Sequence, residues 1–338
     1  MRIPRPETSF EPIEEVLYGA TAARALTAAM DLRLFERLEA GEMTAAALAG
    51  AVGAIPDRLE ALLDLLAAKG VLAKSDQGYA NTQAASEYLV PDKPMYQGRA
   101  MALNMHFFEP LEKNLAQAMC RADNARGEAD TVWATDEIME GMVGHAMGGP
   151  LFRITRLVTG LPGFFATRAM CDVGGNHGTF TMALLDENPN LSGVILDLPH
   201  VAPLSEKRCR ERGYGDRITA RSFDLRTDEI GDAEFDLAVA SHVLYGVAED
   251  LERGVGRIAR ALKSGGWLVS HHFAPGYRDP GLEACHELLT RLAGYPTHYL
   301  PREMLQGVMA RHGFGDFVAE EPKHPLGGGL ILAGRKGK

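Results

Sequence analysis

The stretch "AMCDVGGNHGTF", residues 169 to 180, combines a strand-length apolar run closed by an acid, a turn holding three glycines, and the start of a helix. Three glycines in one turn let the backbone approach a ligand, and Asn176 is among the few other residues that tolerate a left-handed bend. Apolar runs of strand length follow in "SGVILDLP", "RITARSFDL", "FDLAVASHVLY" and "GWLVSHHF", with helix-like segments "VAPLSEKRCRERG" and "EDLERGVGRIARALKSGG" between them. Continuous apolar strands alternating with helices predict a parallel sheet covered on both faces, a doubly wound α/β domain. In such a sheet the first strand's C-terminal turn is where nucleotides bind.

The residues before this alternation follow a different pattern. From about Ala20 to Leu115 the chain is rich in Ala and Leu with helical periodicity, as in "ATAARALTAAMDLRLFERLEAG" and "IPDRLEALLDLLAAKG", each closing on a glycine suited to a helix C-cap. "VLAKSDQGYANT" then reads as a hairpin. Helix, helix and hairpin predict a winged-helix module. The helix that would read DNA carries Asp57, Arg58, Glu60, Asp64 and Lys69 with no basic stripe, so packing or dimer formation is the expected role. Connecting helices are expected over 111–165, giving three parts at 1–110, 111–165 and 166–338.

Bulk properties narrow the partners. A chain of 338 residues with 46% hydrophobic content can build two compact domains, and a formal charge of −10 provides no global field for nucleic acid or anionic lipid. No apolar run approaches the roughly 18 residues that span a bilayer, and a cytoplasmic protein acting on a small molecule is expected. Cys120, Cys171, Cys209 and Cys285 lie far apart without a C-x-x-C pair, which predicts free thiols.

The ligand of the glycine turn is constrained by charge. Asp197 ends the second strand run about 20 residues on, where a carboxylate takes a ribose diol, and Asp224 in "SFD" is placed to meet an adenine. A dinucleotide fold would carry G-x-G-x-x-G for its pyrophosphate. Here Asp172 leads the turn instead, and an acid at that point repels phosphate but holds an ammonium group. The combination points to S-adenosylmethionine, a cation without phosphates.

The ordered motifs "DVGGNHGTF", "ILDLPHV", "SFDL", "ASHVLYGVAED" and "LKSGGWLVSHHF" resemble the class I S-adenosylmethionine-dependent methyltransferases of the caffeate and bacterial antibiotic O-methyltransferase type. The resemblance runs nearly end to end. It implies a Rossmann-like seven-stranded methyltransferase sheet, an N-terminal winged-helix dimerisation domain and a homodimer. It also implies that Asp172, Gly174, Gly175 and Gly178 hold the methionine moiety and sulfur. Asp197 with Leu198 would take the ribose, Asp224 with Leu225 the adenine, and Ser241 stands where plant members carry an adenine-side lysine.

One departure bears on mechanism. Members of the family read L-H-D-W after the fourth strand, the histidine being the general base that deprotonates a phenol, whereas this chain reads Leu244-Tyr245-Gly246-Val247. A tyrosine with an ordinary pKa near 10 is a poor base at neutral pH. The glutamate expected after the fifth strand is His272. The base has moved, the acceptor needs no deprotonation, or methyl transfer has been lost; a thioether or an electron-rich carbon attacks the methyl group without first losing a proton. A C- or S-acceptor is favoured over phenolic oxygen. "LY" and His286 are locally similar to the bacteriochlorophyllide C-20 methyltransferase.

Tyr245, His272 and His286 are therefore the candidate catalytic residues. Met142, His145, Met147 and His298 are candidate acceptor contacts, while His177, His242 and His271 are expected to be structural. A histidine-held metal is disfavoured because its first ligand would fall at Tyr245, and no metal is expected. Arg99, Arg153 and Arg156 are cations available to an acidic acceptor. The remaining alternatives are a family member with decarboxylation or hydroxylation chemistry and a winged-helix sensor of S-adenosylmethionine.

Overall fold

The computed structural model describes residues 7–120, 125–322 and 329–337, the side chains of 108–112 and 125 excepted. The chain packs as two compact units, Met1–Gly98 and Arg99–Lys338. In the first, α1 (Glu11–Asp31), α2 (Leu34–Leu38), α3 (Ala45–Val52) and α4 (Pro56–Ala68) lead into a hairpin of β1 (Leu72–Ser75) and β2 (Gly78–Asn81), followed by α5 (Gln83–Tyr88). The hairpin is antiparallel, with Leu72 opposite Asn81, and completes the expected winged helix.

The first long helix is broken where the periodicity predicted continuity. Arg33 takes a left-handed φ of 56° between α1 and α2. That conformation costs about 1–2 kcal/mol for a non-glycine residue. The bend buries Leu34, Phe35 and Leu38, each worth roughly 1.5–3 kcal/mol, so burial wins over local strain.

The second unit opens with α6 (Gly98–Ala118), which runs past residue 110, then α7 (Ala125–Thr131), α8 (Asp136–Met147) and α9 (Pro150–Thr159). The helical segment read from residue 136 to 161 divides at Gly148 and Gly149. Alternation follows: β3 (Ala169–Val173), α10 (Thr179–Glu187), β4 (Ser192–Asp197), α11 (Ala202–Glu211), β5 (Ile218–Ser222), β6 (Phe235–Ser241), α12 (Leu251–Ala261) and β7 (Leu262–Phe273). After α13 (Pro280–Leu292) and α14 (Arg302–Arg311), β8 (Phe314–Glu320) and β9 (Gly329–Lys336) finish the sheet.

The seven strands stand in the order β5-β4-β3-β6-β7-β9-β8. The five read from the sequence are parallel, but β9 pairs antiparallel with both β7 and β8, so the sheet is mixed rather than wholly parallel. One face is covered by Val255 and Ile258 of α12 with Leu305 and Met309 of α14. The other is covered by Ile154 and Leu157 of α9, Leu184 and Leu185 of α10 and Cys209 of α11. Chain order reverses between β3 and β6, and the carboxyl ends of strands at such a switch point are where open α/β sheets bind ligands.

Arg153 and Arg156 have a structural part. Arg153 is 1% exposed, and donates to the Glu320 carboxylate at 2.9 Å and the Gly329 carbonyl at 2.7 Å; Arg156 donates to the other Glu320 oxygen at 2.7 Å. Arg99 pairs with Glu140. All three cations weighed for an acidic acceptor are thus matched by protein carboxylates. Replacing Glu320 by Leu leaves a buried guanidinium without its counter-charge and is expected to cost roughly 2–4 kcal/mol in urea unfolding, while Arg156→Ala, on the exposed side of the same carboxylate, costs under about 1 kcal/mol.

Candidate active site

At the end of β3 the backbone leaves the sheet through Gly174, at φ 68°, whose N–H donates to the Leu196 carbonyl at 2.7 Å. A Cβ there would lie 2.7 Å from the Val243 side chain, so glycine fits this turn without displacing Val243. Asn176 is left-handed, at φ 39°, and its N–H donates to the Asp197 carboxylate at 2.8 Å. Gly175 and Gly178 complete the turn into α10.

Two carboxyl groups flank this turn. Asp172 is 1% exposed and accepts from the Thr181 hydroxyl at 2.7 Å. Burial pushes it up to about 7, with Thr181 opposing and the nearby Asp197 charge adding. Among the described residues no Lys, Arg or His pairs with it. Burial likewise raises Asp197 to about 6 against the pull of the Asn176 and Leu198 N–H groups. A carboxyl group held this high returns to its charged form when a cation settles beside it. A deep acid without a counter-cation, a glycine cradle that a Cβ would fill and a second acid at the next strand's end fit S-adenosylmethionine, whose ammonium and ribose hydroxyls need these partners.

Asp224, expected to meet an adenine, is already paired within the protein. Burial alone would raise Asp224, but the Arg226 guanidinium outweighs it and holds the carboxyl below its ordinary range, donating at 2.8 Å and 2.7 Å to its two oxygens. Arg226 reaches on to Asp130 of α7 at 2.7 Å, and the Tyr295 hydroxyl donates to the same Asp130 carboxylate at 2.7 Å. The side chain of Leu225 lies in the sheet's core, and its carbonyl accepts from Arg257 at 2.7 Å. Leu198 is half-buried beside Asp197, and Ser241 contacts the His271 ring at 3.0 Å.

Asp130, Arg226 and Tyr295 escaped the sequence reading. Asp130 lies 96 and 165 residues from its two partners, and nothing local marks it.

Beyond β6 lies a cluster of rings. Tyr245 stacks on His298 with centroids 4.1 Å apart, His298 stacks on His286 at 4.7 Å, and Tyr295 meets Tyr245 edge-on at 5.1 Å. Phe273 touches His242, His286 and His298 at 4.5 to 5.1 Å. His242 and His271, read as structural, therefore join the cluster from its inner side, 4.5 Å apart. His272 lies on the opposite face of β7, bound to Ser270 at 3.0 Å, and is not in this ring cluster. His145 is solvent-accessible, yet the protein around it lowers its pKa, as for a side chain lining a cleft; Met142 and Met147 on the same helix are half-buried. His177 contacts the Thr179 hydroxyl at 2.8 Å inside the turn. One ring nitrogen of each of His242, His271, His272 and His298 is buried without a hydrogen-bond partner among the described residues. Among the described residues no three His, Cys, Asp or Glu side chains gather as a metal site.

Burial pushes Tyr245 up to about 12 and brings His272 and His286 down to about 4 and His177 and His242 to about 3, with His271 and His298 also well below the ordinary value. At neutral pH these rings are uncharged. Between pH 6.5 and 4 the unfolded chain takes up six protons on these histidines that the native state refuses, so stability falls as pH falls through that window. Asp172 and Asp197, raised in the native state, take up two protons there and oppose the trend without reversing it. Urea midpoints should hold above pH 6.5 and decline steadily to pH 4; a midpoint rising on acidification contradicts the buried neutral cluster.

Comparison with known proteins shows the family. Residues 14–91 match the O-methyltransferase dimerisation domain and residues 171–268 a methyltransferase domain. The chain is 30% identical over 267 residues to the 3-hydroxy-5-methyl-1-naphthoate 3-O-methyltransferase of Streptomyces sahachiroi, across 76% of this chain and 75% of that one. It is 28% identical over 261 residues to the bacteriochlorophyllide d C-20 methyltransferase of Chlorobaculum tepidum, across 76% of both. It superposes with a TM-score of 0.73 on CalO1, a methyltransferase in calicheamicin biosynthesis solved in its S-adenosylhomocysteine-bound form, at 22% identity over 96% of this chain and 97% of that one. The chain belongs to the S-adenosylmethionine-dependent methyltransferases of the bacterial antibiotic O-methyltransferase type, and S-adenosyl-L-methionine is its methyl donor.

Proposed function

We propose that the enzyme methylates a carbon or sulfur atom of a small, largely apolar metabolite without a general base acting before transfer. The observation that carries this reading is Tyr245, raised to about 12 at the position of the family's base, beside rings that are weak bases. When bound, S-adenosylmethionine supplies an electrophilic methyl group on a positively charged sulfur. Asp172 holds the ammonium and balances the charge, Gly174, Gly175 and Gly178 admit the amino acid part, and Asp197 with the Leu198 backbone takes the ribose. Asp224, the Leu225 backbone and Ser241 border the adenine.

On the acceptor side Met142, His145, Met147, His286 and His298 form the walls, and Tyr245 orients the acceptor through its hydroxyl. Alignment in a water-poor pocket supplies the acceleration when no proton must leave first. A methylated aromatic carbon sheds its proton readily, so a neutral His286 suffices to take it, and His272, on the other face of β7, takes no part. In this division residues 1–110 serve dimerisation, 111–165 line the acceptor and 166–338 hold the donor.

Phenolic O-methylation with His286 as a relocated base is the second reading, favoured by the naphthoate O-methyltransferase relative. Incubation with methyl-labelled S-adenosylmethionine and a metabolite extract separates the two: the first reading expects label on carbon or sulfur, the second on a phenolic oxygen. Asp197→Ala should weaken S-adenosylhomocysteine binding in calorimetry by roughly 0.5–3 kcal/mol. Tyr245→Phe should slow turnover with donor affinity nearly intact.

The dimer is proposed to form through α1. Ile13, Val16, Leu17 and Tyr18 are 53% to 78% exposed on that helix, an apolar group left open among the described residues. Among the described residues no helix is long and apolar enough to cross a membrane. Leu17→Glu should convert a dimer to a monomer in sedimentation equilibrium, and a dimer surviving in that variant contradicts the assignment.

A further inference from the structure

We propose that Arg278 sets acceptor specificity and that the acceptor is a flat aromatic molecule bearing a carboxylate, its acid held on this guanidinium. The inference deepens the methyltransferase reading and rests on it. β7 ends at Phe273 on the sheet's carboxyl rim, and five residues later the Arg278 guanidinium lies 5.1 Å from the Phe273 ring centre. Phe273 is the ring that gathers His242, His286, His298 and Tyr299 around itself. The positive charge of Arg278 acts on all four of those groups, and its side chain meets the Tyr299 hydroxyl.

Arg278 differs from the guanidiniums of Arg226, Arg126, Arg153 and Arg156 in forming no ion pair among the described residues. Arg226 is matched by Asp224 and Asp130, Arg153 and Arg156 by Glu320, and Arg126 by Glu249 at 3.6 Å. Among the described residues no carboxylate pairs with the Arg278 side chain. The acids nearest in sequence are engaged elsewhere: Asp279 accepts from the first N–H groups of α13, and Glu283 accepts from the N–H groups of Gly276 and Arg278. Glu287 accepts from the Thr297 hydroxyl and the His298 N–H. The carboxylates of Glu283 and Glu287 lie near the same rings but are taken up by N–H and hydroxyl donors, so the half-buried Arg278 side chain keeps its fork open to an incoming anion. Its planar fork matches a carboxylate with two parallel hydrogen bonds, and the ring cluster offers faces and edges to an aromatic body.

The test uses the full-length protein saturated with S-adenosylhomocysteine and compares 1-naphthoate with 1-naphthamide by calorimetry. The wild type should bind the acid about tenfold or more tightly than the amide. Arg278→Gln should bring the acid down to the amide's level with S-adenosylhomocysteine affinity unchanged, and Arg278→Lys should keep part of the preference because it keeps the charge. Equal binding of the two probes, binding of neither, or a preference that survives in Arg278→Gln overturns the proposal. Failure of S-adenosylhomocysteine itself to bind strikes the donor assignment, and this proposal with it.

Discussion

The site depends on an acid that the protein leaves without a positive partner. Asp172 is buried at the end of β3, bonded to Thr181 and held near neutrality by its surroundings. A carboxyl group in that position has an unfavourable charged state unless something cationic arrives, and a sulfonium donor with an ammonium tail is a ligand that changes the balance. Phosphate ligands are repelled by the same charge, which is why a sheet built like a dinucleotide-binding domain serves a different coenzyme here.

The sheet makes that acid available. The reversal of strand order between β3 and β6 puts a topological switch point at their carboxyl ends, where Gly174 lets the chain turn against Val243 and Gly178 lets it pack on Cys209 and Ile195. The same ends of β6 and β7 carry Tyr245 and Phe273, so the ring cluster grows from the neighbouring strands of one sheet. Asp130 binds both Arg226, which holds Asp224, and Tyr295, which packs on Tyr245. One carboxylate on α7 thereby ties both halves of the site to the same helix.

Local pattern revealed the parts whose cause is local. The strand-turn-helix at residues 169 to 187, the hairpin after α4 and the acid ending β4 follow from hydrophobic period, glycine placement and spacing, and all three stand where expected. The break at Arg33 did not show, because the burial of Leu34 and Phe35 that drives it is a tertiary effect. The antiparallel β9 went unread because its apolar run resembles any buried strand and its direction is set by the chain's return. Arg153 looked like a free cation until Glu320, 167 residues away, was brought to it. The histidines were legible as a group near the rim, but their stacking order and the separation of His272 on the other face of β7 depend on packing that no spacing encodes.

The most direct test of the central claim is proton release on donor binding. Asp172, and to a smaller extent Asp197, should lose protons when S-adenosylmethionine binds below pH 7, so calorimetry in buffers of different ionisation enthalpy should detect release at pH 6 and almost none at pH 8, and Asp172→Asn should abolish most of it. Affinity that is independent of pH from 6 to 8, with no proton released, would contradict an uncompensated acid waiting for a cation.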